Sequence, residues 1–151
     1  MPLPELQPGL TLTKKVVVDE GLIAPCVSRH FVGGFTTLPP VFATAFMVGL
    51  VEWTCVECLH PHLLPGEHSV GTGIDITHTA ATPIGMSVSA EVQLLAVVGR
   101  LLRFRVTCRD ELDVVGEGSH ERMLIRLESF TARAARKRRH VISDNPMKAA
   151  E

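Results

Sequence analysis

The spacing of apolar residues changes along the chain, and this change predicts the order of its secondary structure elements. Residues 10–18 (LTLTKKVVV) have the β-branched composition of a strand. Residues 41–59 are almost continuously apolar and precede Pro61, which predicts one long buried helix that ends before the proline. After residue 69 the apolar residues recur at every second position, which predicts four long strands joined by short turns.

Prolines and glycines interrupt residues 24–40, between the first predicted strand and the helix, and predict a long loop. Long loops in compact domains commonly act as lids or binding loops. One helix cannot cover both faces of a sheet, but an antiparallel sheet that curls around the helix can bury it. The order of elements therefore predicts an α+β hot-dog fold, in which a curved antiparallel sheet of about five strands wraps one long central helix. The open sheet edge and the exposed helix flank of such a fold favour a homodimer.

Alternation also assigns the side chains of each predicted strand to one of two faces. In the strand near residue 105 the inward side chains are Leu102, Phe104, Val106 and Cys108. In the strand near residue 92 one face carries Val88, Ala90, Val92, Leu94 and Ala96. In the strand near residue 74 one face carries Val70, Thr72, Ile74, Ile76 and His78.

Glu52 is an unusual residue for a buried helix because Val51 and Trp53 flank it. Burying an ionised carboxylate without partners costs several kcal/mol, so a partner or a catalytic use is expected. Thr44 lies eight residues earlier, which places the two side chains about 80° apart around the helix axis. Structural roles are also open, because Thr44 could bond back to a carbonyl group and Glu52 could lie on an outward stripe of the helix.

His78 should point toward the helix because its parity matches that of Ile74 and Ile76. An inward Glu52 and an inward His78 would then share one buried space. A carboxylate beside an imidazole can act as an acid–base pair at neutral pH, and Thr44 would add a hydroxyl group nearby. A satisfied core histidine is the alternative for His78, but the three residues together indicate a catalytic site.

Three blocks of sequence, PPVFATAFMVGLVEWTC, HSVGTGIDITHTAATP and GEGSHERMLIRLESF, resemble the fluoroacetyl-CoA thioesterase family of hot-dog proteins. The resemblance extends over residues 35–135. It implies that Thr44, Glu52 and His78 are catalytic. It also associates Gly71 and Arg122 with binding of the thioester substrate, and it implies a homodimer with active sites at the subunit interface.

The lid of this family carries aromatic residues, and the chain matches that pattern only in part. Phe35 fits it, whereas Leu38 stands where the family has an aromatic residue just before PPVFAT. Both are candidate substrate-binding residues. A pocket difference of this size is worth only about 1–3 kcal/mol of discrimination. We therefore expect hydrolysis of several short acyl-CoA substrates without a strong preference for fluoroacetyl-CoA.

The chain is thus predicted to be an acyl-CoA thioesterase that hydrolyses a short-chain acyl-CoA to the free acid and CoA. Coenzyme A is part of the substrate, and no cofactor or metal is expected. The segment CVECLHPH has zinc-like spacing, but its cysteines lie in the predicted buried helix and Pro61 intervenes. A non-catalytic acyl-thioester or small-ligand binding protein of the same fold is the alternative, and the role of His120 stays open.

Charge is unevenly distributed along the chain, although the net charge is only −1 at pH 7. Residues 1–130, the predicted thioesterase domain, hold nine Lys/Arg and fourteen Asp/Glu, whereas five basic residues lie between Arg133 and Arg139. Residues 131–151 are therefore predicted to form a basic C-terminal tail that is helical at first. The tail either has a solvated face or contacts the phosphates of CoA. An acidic body and a tail without aromatic residues argue against a nucleic-acid partner.

The N-terminus and the cysteines predict a cytoplasmic location. The segment MPLPELQPG has neither the basic nor the apolar region of a signal peptide. The longest apolar run, Val41 to Val51, is shorter than the about 20 residues of a membrane span. Four cysteines in 151 residues are typical of reduced thiols rather than of a disulfide framework. We therefore expect a soluble cytoplasmic protein with no membrane partner.

Overall fold

The computed structural model describes residues 5–28, 30–31 and 33–144 and contains one antiparallel sheet and two α-helices. The sheet has five strands in the order β1-β3-β4-β5-β2, with every neighbouring pair antiparallel. This architecture confirms the predicted α+β class. In chain order the elements are β1 (Thr11–Val17), α1 (Thr44–Leu59), β2 (Glu67–Ile76), β3 (Ser87–Val98), β4 (Leu101–Arg109), β5 (Val114–Arg126) and α2 (Leu127–Asp144).

The apolar side of α1 packs on the inner face of the sheet, chiefly against β1 and β3. All four residues that alternation placed inward on β4 are buried, and the predicted face of β3 is buried from Val88 to Leu94. The register shifts after Leu94, so Ala96 pairs with the outward Arg103, and its predicted place on that face is wrong. Each valine, leucine, phenylalanine or methionine side chain stabilises the fold by about 1.5–3 kcal/mol on full burial. The largest fully buried side chains are Phe42, Phe104, Met47, Leu59, Leu94 and Leu102.

The loop before α1 determines where the helix begins. It contains two short 3₁₀ turns, Ala24–Cys26 and Gly34–Thr37, which agrees with the predicted loop. The backbone N–H of Phe42 donates to the carbonyl of Thr82 (2.8 Å), and that of Ala43 donates to the carbonyl of Leu22 (3.0 Å). These bonds hold the chain extended up to Ala43, so α1 begins at Thr44 rather than at residue 41.

A β-bulge in β2 changes the predicted faces of that strand. Gly71 pairs with Arg122 and Gly73 pairs with Glu121, so Thr72 is an extra residue without a partner on β5. Because one inserted residue reverses the alternation, Gly71 lies on the same face as Ile74. The predicted grouping of Val70 and Thr72 with Ile74 is therefore wrong.

The chain beyond β2 stays beside β5 after the strand ends. The N–H of Thr77 donates to the carbonyl of Glu117 (2.9 Å), and the N–H of Thr79 donates to that of Val115 (2.8 Å). His78 thus lies between two anchored residues, just past the end of β2 at Ile76.

The basic segment is helical, as predicted, and α2 continues directly from β5 with no buried side chain. The predicted boundary at residues 130/131 falls inside α2, and the division into a domain and a tail stays a prediction. Residues 1–4 of the predicted domain and 145–151 of the predicted tail lie outside the described residues. No helix in the described part of the chain is long and apolar enough to span a bilayer.

Candidate active site

Arg122 is the centre of a polar cluster on the inner face of the sheet. Its side chain is only 4% exposed, and its Nη1 group donates to Oε2 of Glu52 at 3.1 Å. Nε donates to the hydroxyl of Ser69 (2.8 Å) and Nη2 donates to the carbonyl of Ser69 (2.9 Å). Glu52 is 46% exposed rather than buried. The carboxylate in the apolar helix is therefore compensated by a charged partner on β5 and by partial solvation.

His120 completes this cluster and has an assignable tautomer. Its Nε2 lies 3.2 Å from Nη1 of Arg122, and its Nδ1 lies 2.7 Å from the carbonyl oxygen of Gly73. A guanidinium group can only donate hydrogen bonds, so Nε2 accepts and Nδ1 carries the proton. Burial lowers the pKa of His120, and the nearby charge of Arg122 lowers it further. His120 is therefore neutral at pH 7 and orients the cluster.

Gly71 leaves the backbone bare at the centre of this cluster. A Cβ atom there would lie 3.3 Å from Cε1 of His120, closer than most side-chain contacts, and 3.4 Å from Oε2 of Glu52. The space in front of it is a cavity of about 300 Å³ that Glu52 and His120 also line. A substrate group can therefore approach both the carboxylate of Glu52 and the backbone of Gly71.

Thr44 and His78 form a second polar site at the start of α1. The hydroxyl of Thr44 and Nδ1 of His78 are 2.7 Å apart, so Thr44 bonds this histidine instead of a helix carbonyl group. Nε2 of His78 is buried and has no hydrogen-bond partner within the described residues. Burial lowers the pKa of His78, which favours the neutral imidazole. Both side chains line a separate cavity of about 250 Å³.

The structure thus separates the three predicted catalytic residues into two places. Thr44 and His78 are in contact, as expected. Glu52 does not share their cavity within one chain. The expectation of one buried space for Glu52 and His78 is therefore not met in a single chain. Eight residues of α-helix correspond to a rise of about 12 Å, which is longer than a glutamate side chain.

The two lid residues lie outside both cavities. Phe35 is half-buried and contacts Phe31, with ring centroids 5.8 Å apart. Leu38 is exposed at the end of the second 3₁₀ turn. Neither side chain lines the cavity of Thr44 or that of Glu52, so their assignment as substrate contacts stays a prediction.

The cysteines of α1 are packing residues. Cys55 is fully buried, and burial raises the pKa of its thiol to about 12, so the reactive thiolate is not available at neutral pH. Burial also raises the pKa of Cys58. Among residues 5–28, 30–31 and 33–144, no group of three or more His, Cys, Asp or Glu residues is placed to hold a metal ion.

Sequence reasoning missed Ser69 and left His120 undecided. The available signal was the two-residue spacing of His120 and Arg122, which places both on one strand face. Neither charge nor hydropathy shows whether this face points toward the helix, because Met123 and Ile125 form an equally regular apolar pattern on the opposite face. Arg122 pairs with the buried Leu102 of β4, so the face of His120 and Arg122 points inward.

Known proteins with similar sequences and structures identify the family. The family described as fluoroacetyl-CoA-specific thioesterase matches residues 27–128. A fluoroacetyl-CoA thioesterase from Streptantibioticus cattleyicolor is 52% identical over 103 residues, which are 68% of this chain and 74% of the relative. A crystal structure of a variant of the fluoroacetyl-CoA-specific thioesterase, in complex with fluoroacetate and CoA, has 44% identity and a TM-score of 0.79. It covers 83% of this chain and 99% of its own chain.

A hot-dog-like protein from Thermanaerovibrio acidaminovorans has a TM-score of 0.74 with 21% identity, covering 86% of this chain and 91% of its own. This likeness concerns the fold alone and confirms the predicted hot-dog architecture. The family match and the curated relative confirm the resemblance seen in the three sequence blocks and the predicted thioester-hydrolase class. The chain therefore belongs to the fluoroacetyl-CoA-specific thioesterase family.

Proposed function

We propose that this protein hydrolyses short-chain acyl-CoA thioesters, with Glu52, His78 and Thr44 as its catalytic residues. The observation that carries this proposal is the carboxylate of Glu52, oriented by Arg122 at 3.1 Å and facing a cavity beside the bare backbone of Gly71. A carboxylate that is oriented yet half-exposed can accept a proton from water. No metal or cofactor takes part in this scheme.

In the proposed reaction, Glu52 removes a proton from a water molecule that attacks the thioester carbonyl. The tetrahedral intermediate carries a negative charge on oxygen, and the N–H of Gly71 is a candidate donor to it because no side chain blocks approach. The thiolate of CoA then leaves and receives the proton that Glu52 took from water, and His78 relays this proton or orients the groups around it. Direct attack by Glu52 to give a mixed anhydride is the alternative route.

We further propose that each active site combines Glu52 of one subunit with Thr44 and His78 of its partner in a homodimer. Three features support this arrangement. The two sites line separate cavities within one chain, and Nε2 of His78 is buried without a partner in the described residues. The flank of α1 beside Glu52 and the edge strand β2 also expose apolar side chains, namely Trp53 (42%), Val56 (40%) and Ile74 (43%).

Mixing inactive subunits tests both the catalytic residues and the assembly. Glu52→Gln and His78→Ala should each lower kcat at least about a hundredfold. When the two variants are unfolded, mixed and refolded together, half of the dimers contain one chain of each kind. Each mixed dimer would hold one intact composite site, so about a quarter of wild-type activity should return. No recovery would show that one chain supplies all three residues.

Comparing kcat/KM for acetyl-, fluoroacetyl- and butyryl-CoA tests which acyl group the protein prefers in its substrate. The relative from Streptantibioticus cattleyicolor is a fluoroacetyl-CoA thioesterase. Leu38 leads us to propose a weaker preference here, below about a hundredfold for fluoroacetyl-CoA over acetyl-CoA.

Mass analysis of released CoA distinguishes an enzyme from a binding protein. We propose the cytoplasm as its compartment, since all four cysteines are free thiols.

A further inference from the structure

Four arginines surround one cavity on the side of the molecule where β5 continues into α2. Arg100 comes from the turn between β3 and β4, and Arg133, Arg136 and Arg139 come from one side of α2. The cavity has a volume of about 480 Å³, and no acidic residue lines it. This charged cavity is distinct from the two cavities of the candidate active site.

None of the four arginines has a carboxylate partner within the described residues, where the ion pairs of Arg and Lys are Arg103–Glu121 and Arg122–Glu52. Arg133 lies over the ring of Phe130 at 5.9 Å, and Asp144 pairs with His140 instead. Like charges at neighbouring helix positions repel one another. A ligand with several negative charges would remove this repulsion.

We propose that this charged cavity binds the phosphate groups of the CoA part of the substrate. Arginine binds phosphate through paired N–H groups, and several arginines suit a ligand that carries a diphosphate and a 3′-phosphate. This inference rests on the proposed thioesterase function for the choice of ligand. The cavity itself does not depend on that function.

The position of the cavity fits a substrate whose thioester lies at Glu52. The N–H of Leu124 donates to the carbonyl of Arg100 at 2.8 Å, so Arg100 lies beside β5. His120, which lines the cavity beside Glu52, is four residues from Leu124, a separation of about 13 Å along a strand. The extended pantetheine arm of CoA is longer than this, so the spacing along β5 is compatible with one CoA molecule that contacts both places.

The first test compares two double variants that remove the same charge from α2. Arg133→Gln/Arg136→Gln changes the cavity lining, whereas Lys137→Gln/Arg138→Gln changes residues that do not line it. The cavity variant should raise KM for acetyl-CoA about tenfold relative to KM for acetyl-pantetheine, which lacks the nucleotide phosphates. The control variant should leave this ratio within about twofold, since it keeps the cavity intact. An equal change in both variants would overturn the proposal, because net charge alone would then explain it.

The second test is independent of catalysis. Calorimetric titration with CoA, dephospho-CoA and pantetheine should show weaker CoA binding by the cavity variant, and the difference should shrink for dephospho-CoA. Far-UV circular dichroism checks that α2 is retained. If the wild-type protein binds CoA in this way but hydrolyses no thioester, the proposed function fails while the cavity assignment stands. If the cavity variant binds CoA normally but loses binding to a short RNA oligonucleotide, the cavity assignment is wrong.

Discussion

Two arginine–glutamate pairs meet on adjacent residues of β5, one on each face of the sheet. On the inner face Arg122 lies 3.1 Å from Glu52, and on the outer face Arg103 lies 3.1 Å from Glu121. The two glutamates are similarly exposed, at 46% and 39%, but the arginine side chains are 4% and 56% exposed. The same distance between charges thus occurs in two different environments.

The difference between the pairs lies in what else each arginine contacts. Arg122 also bonds Ser69 and His120, whereas the outer pair is a solvated contact between strands. Exposed pairs contribute about 0–1 kcal/mol. A buried guanidinium group loses its hydration and must keep every hydrogen-bond partner. The comparison leads us to expect that the inner pair positions the carboxylate of Glu52, the proposed general base, and that loss of the outer pair changes the fold and the activity little.

The largest difference in kcat is expected between the variants Glu52→Gln and Glu121→Gln. The first change removes the proposed general base and should lower kcat at least about a hundredfold, whereas the second should change it less than about twofold. Steady-state hydrolysis of acetyl-CoA measures both variants. Near-normal turnover in the Glu52 variant would make the inner pair a structural contact only.

The next largest effect is expected on stability, from Arg122→Lys against Arg103→Lys. A lysine cannot contact Glu52 and both oxygen atoms of Ser69 at once, so the inner variant should lose about 1–3 kcal/mol of unfolding free energy. The outer variant should lose less than about 0.5 kcal/mol. Urea unfolding at one fixed protein concentration provides the comparison, since a dimer would make stability depend on concentration. Equal losses would mean that burial of the guanidinium group has no energetic consequence.

A smaller effect on kcat/KM is expected when Gly71 or Gly73 is replaced by alanine. Gly71 pairs with Arg122 of the inner pair, and Gly73 pairs with Glu121 of the outer pair. A Cβ atom at Gly71 would lie in tight contact with His120 (3.3 Å) and close to Oε2 of Glu52 (3.4 Å), whereas one at Gly73 would meet Glu121 at an ordinary 3.7 Å. Gly71→Ala should therefore lower kcat/KM about tenfold, because it displaces His120 within the polar cluster and narrows the space in front of the carboxylate. Gly73→Ala should cause a clearly smaller loss. The reverse order would place the functional face of the sheet on the outer side.

The smallest effect is a pH dependence of stability from the inner-face histidine. Burial, assisted by the charge of Arg122, lowers the pKa of His120 below that of the unfolded chain. The unfolded chain therefore binds more protons below about pH 6.5, and the unfolding free energy should fall as pH decreases from there toward the folded pKa. His120→Asn should reduce this fall. Denaturant unfolding at about pH 7.5 and about pH 5.5 tests it, because most carboxylates titrate below that range. An unchanged slope in the variant would contradict the assignment of a neutral His120.

Much of the fold could be predicted from local sequence patterns. The buried residues of β4 alternate without interruption, and the apolar helix and its proline stop are continuous in sequence. These features depend on backbone geometry and on apolar burial, both of which are encoded within a few neighbouring residues. The three sequence blocks likewise indicated the family, and with it the thioester-hydrolase class.

The candidate site was predicted only in part. Contact between Thr44 and His78 agrees with the expectation from parity, although the two residues are 34 positions apart. The expectation that Glu52 shares one buried space with Thr44 and His78 is not met within one chain, because an α-helix separates positions eight residues apart by about 12 Å. Arg122 entered the sequence analysis only through the family resemblance, as a substrate-binding residue. Its burial and its bonds to Glu52 and Ser69 become visible only once β2 lies beside β5.

By itself, the sequence determined the order of the elements, the apolar face of β4, that of β3 as far as Leu94, and the helix that carries Thr44 and Glu52. Only the tertiary structure decided which residues face that helix from β2 and β5. The bulge at Thr72 exchanges the faces of β2, and the register of β5 against β4 brings Arg122 and His120 inside. The physical reason is that strand register depends on pairing between distant segments, and a shift of one residue reverses every side chain.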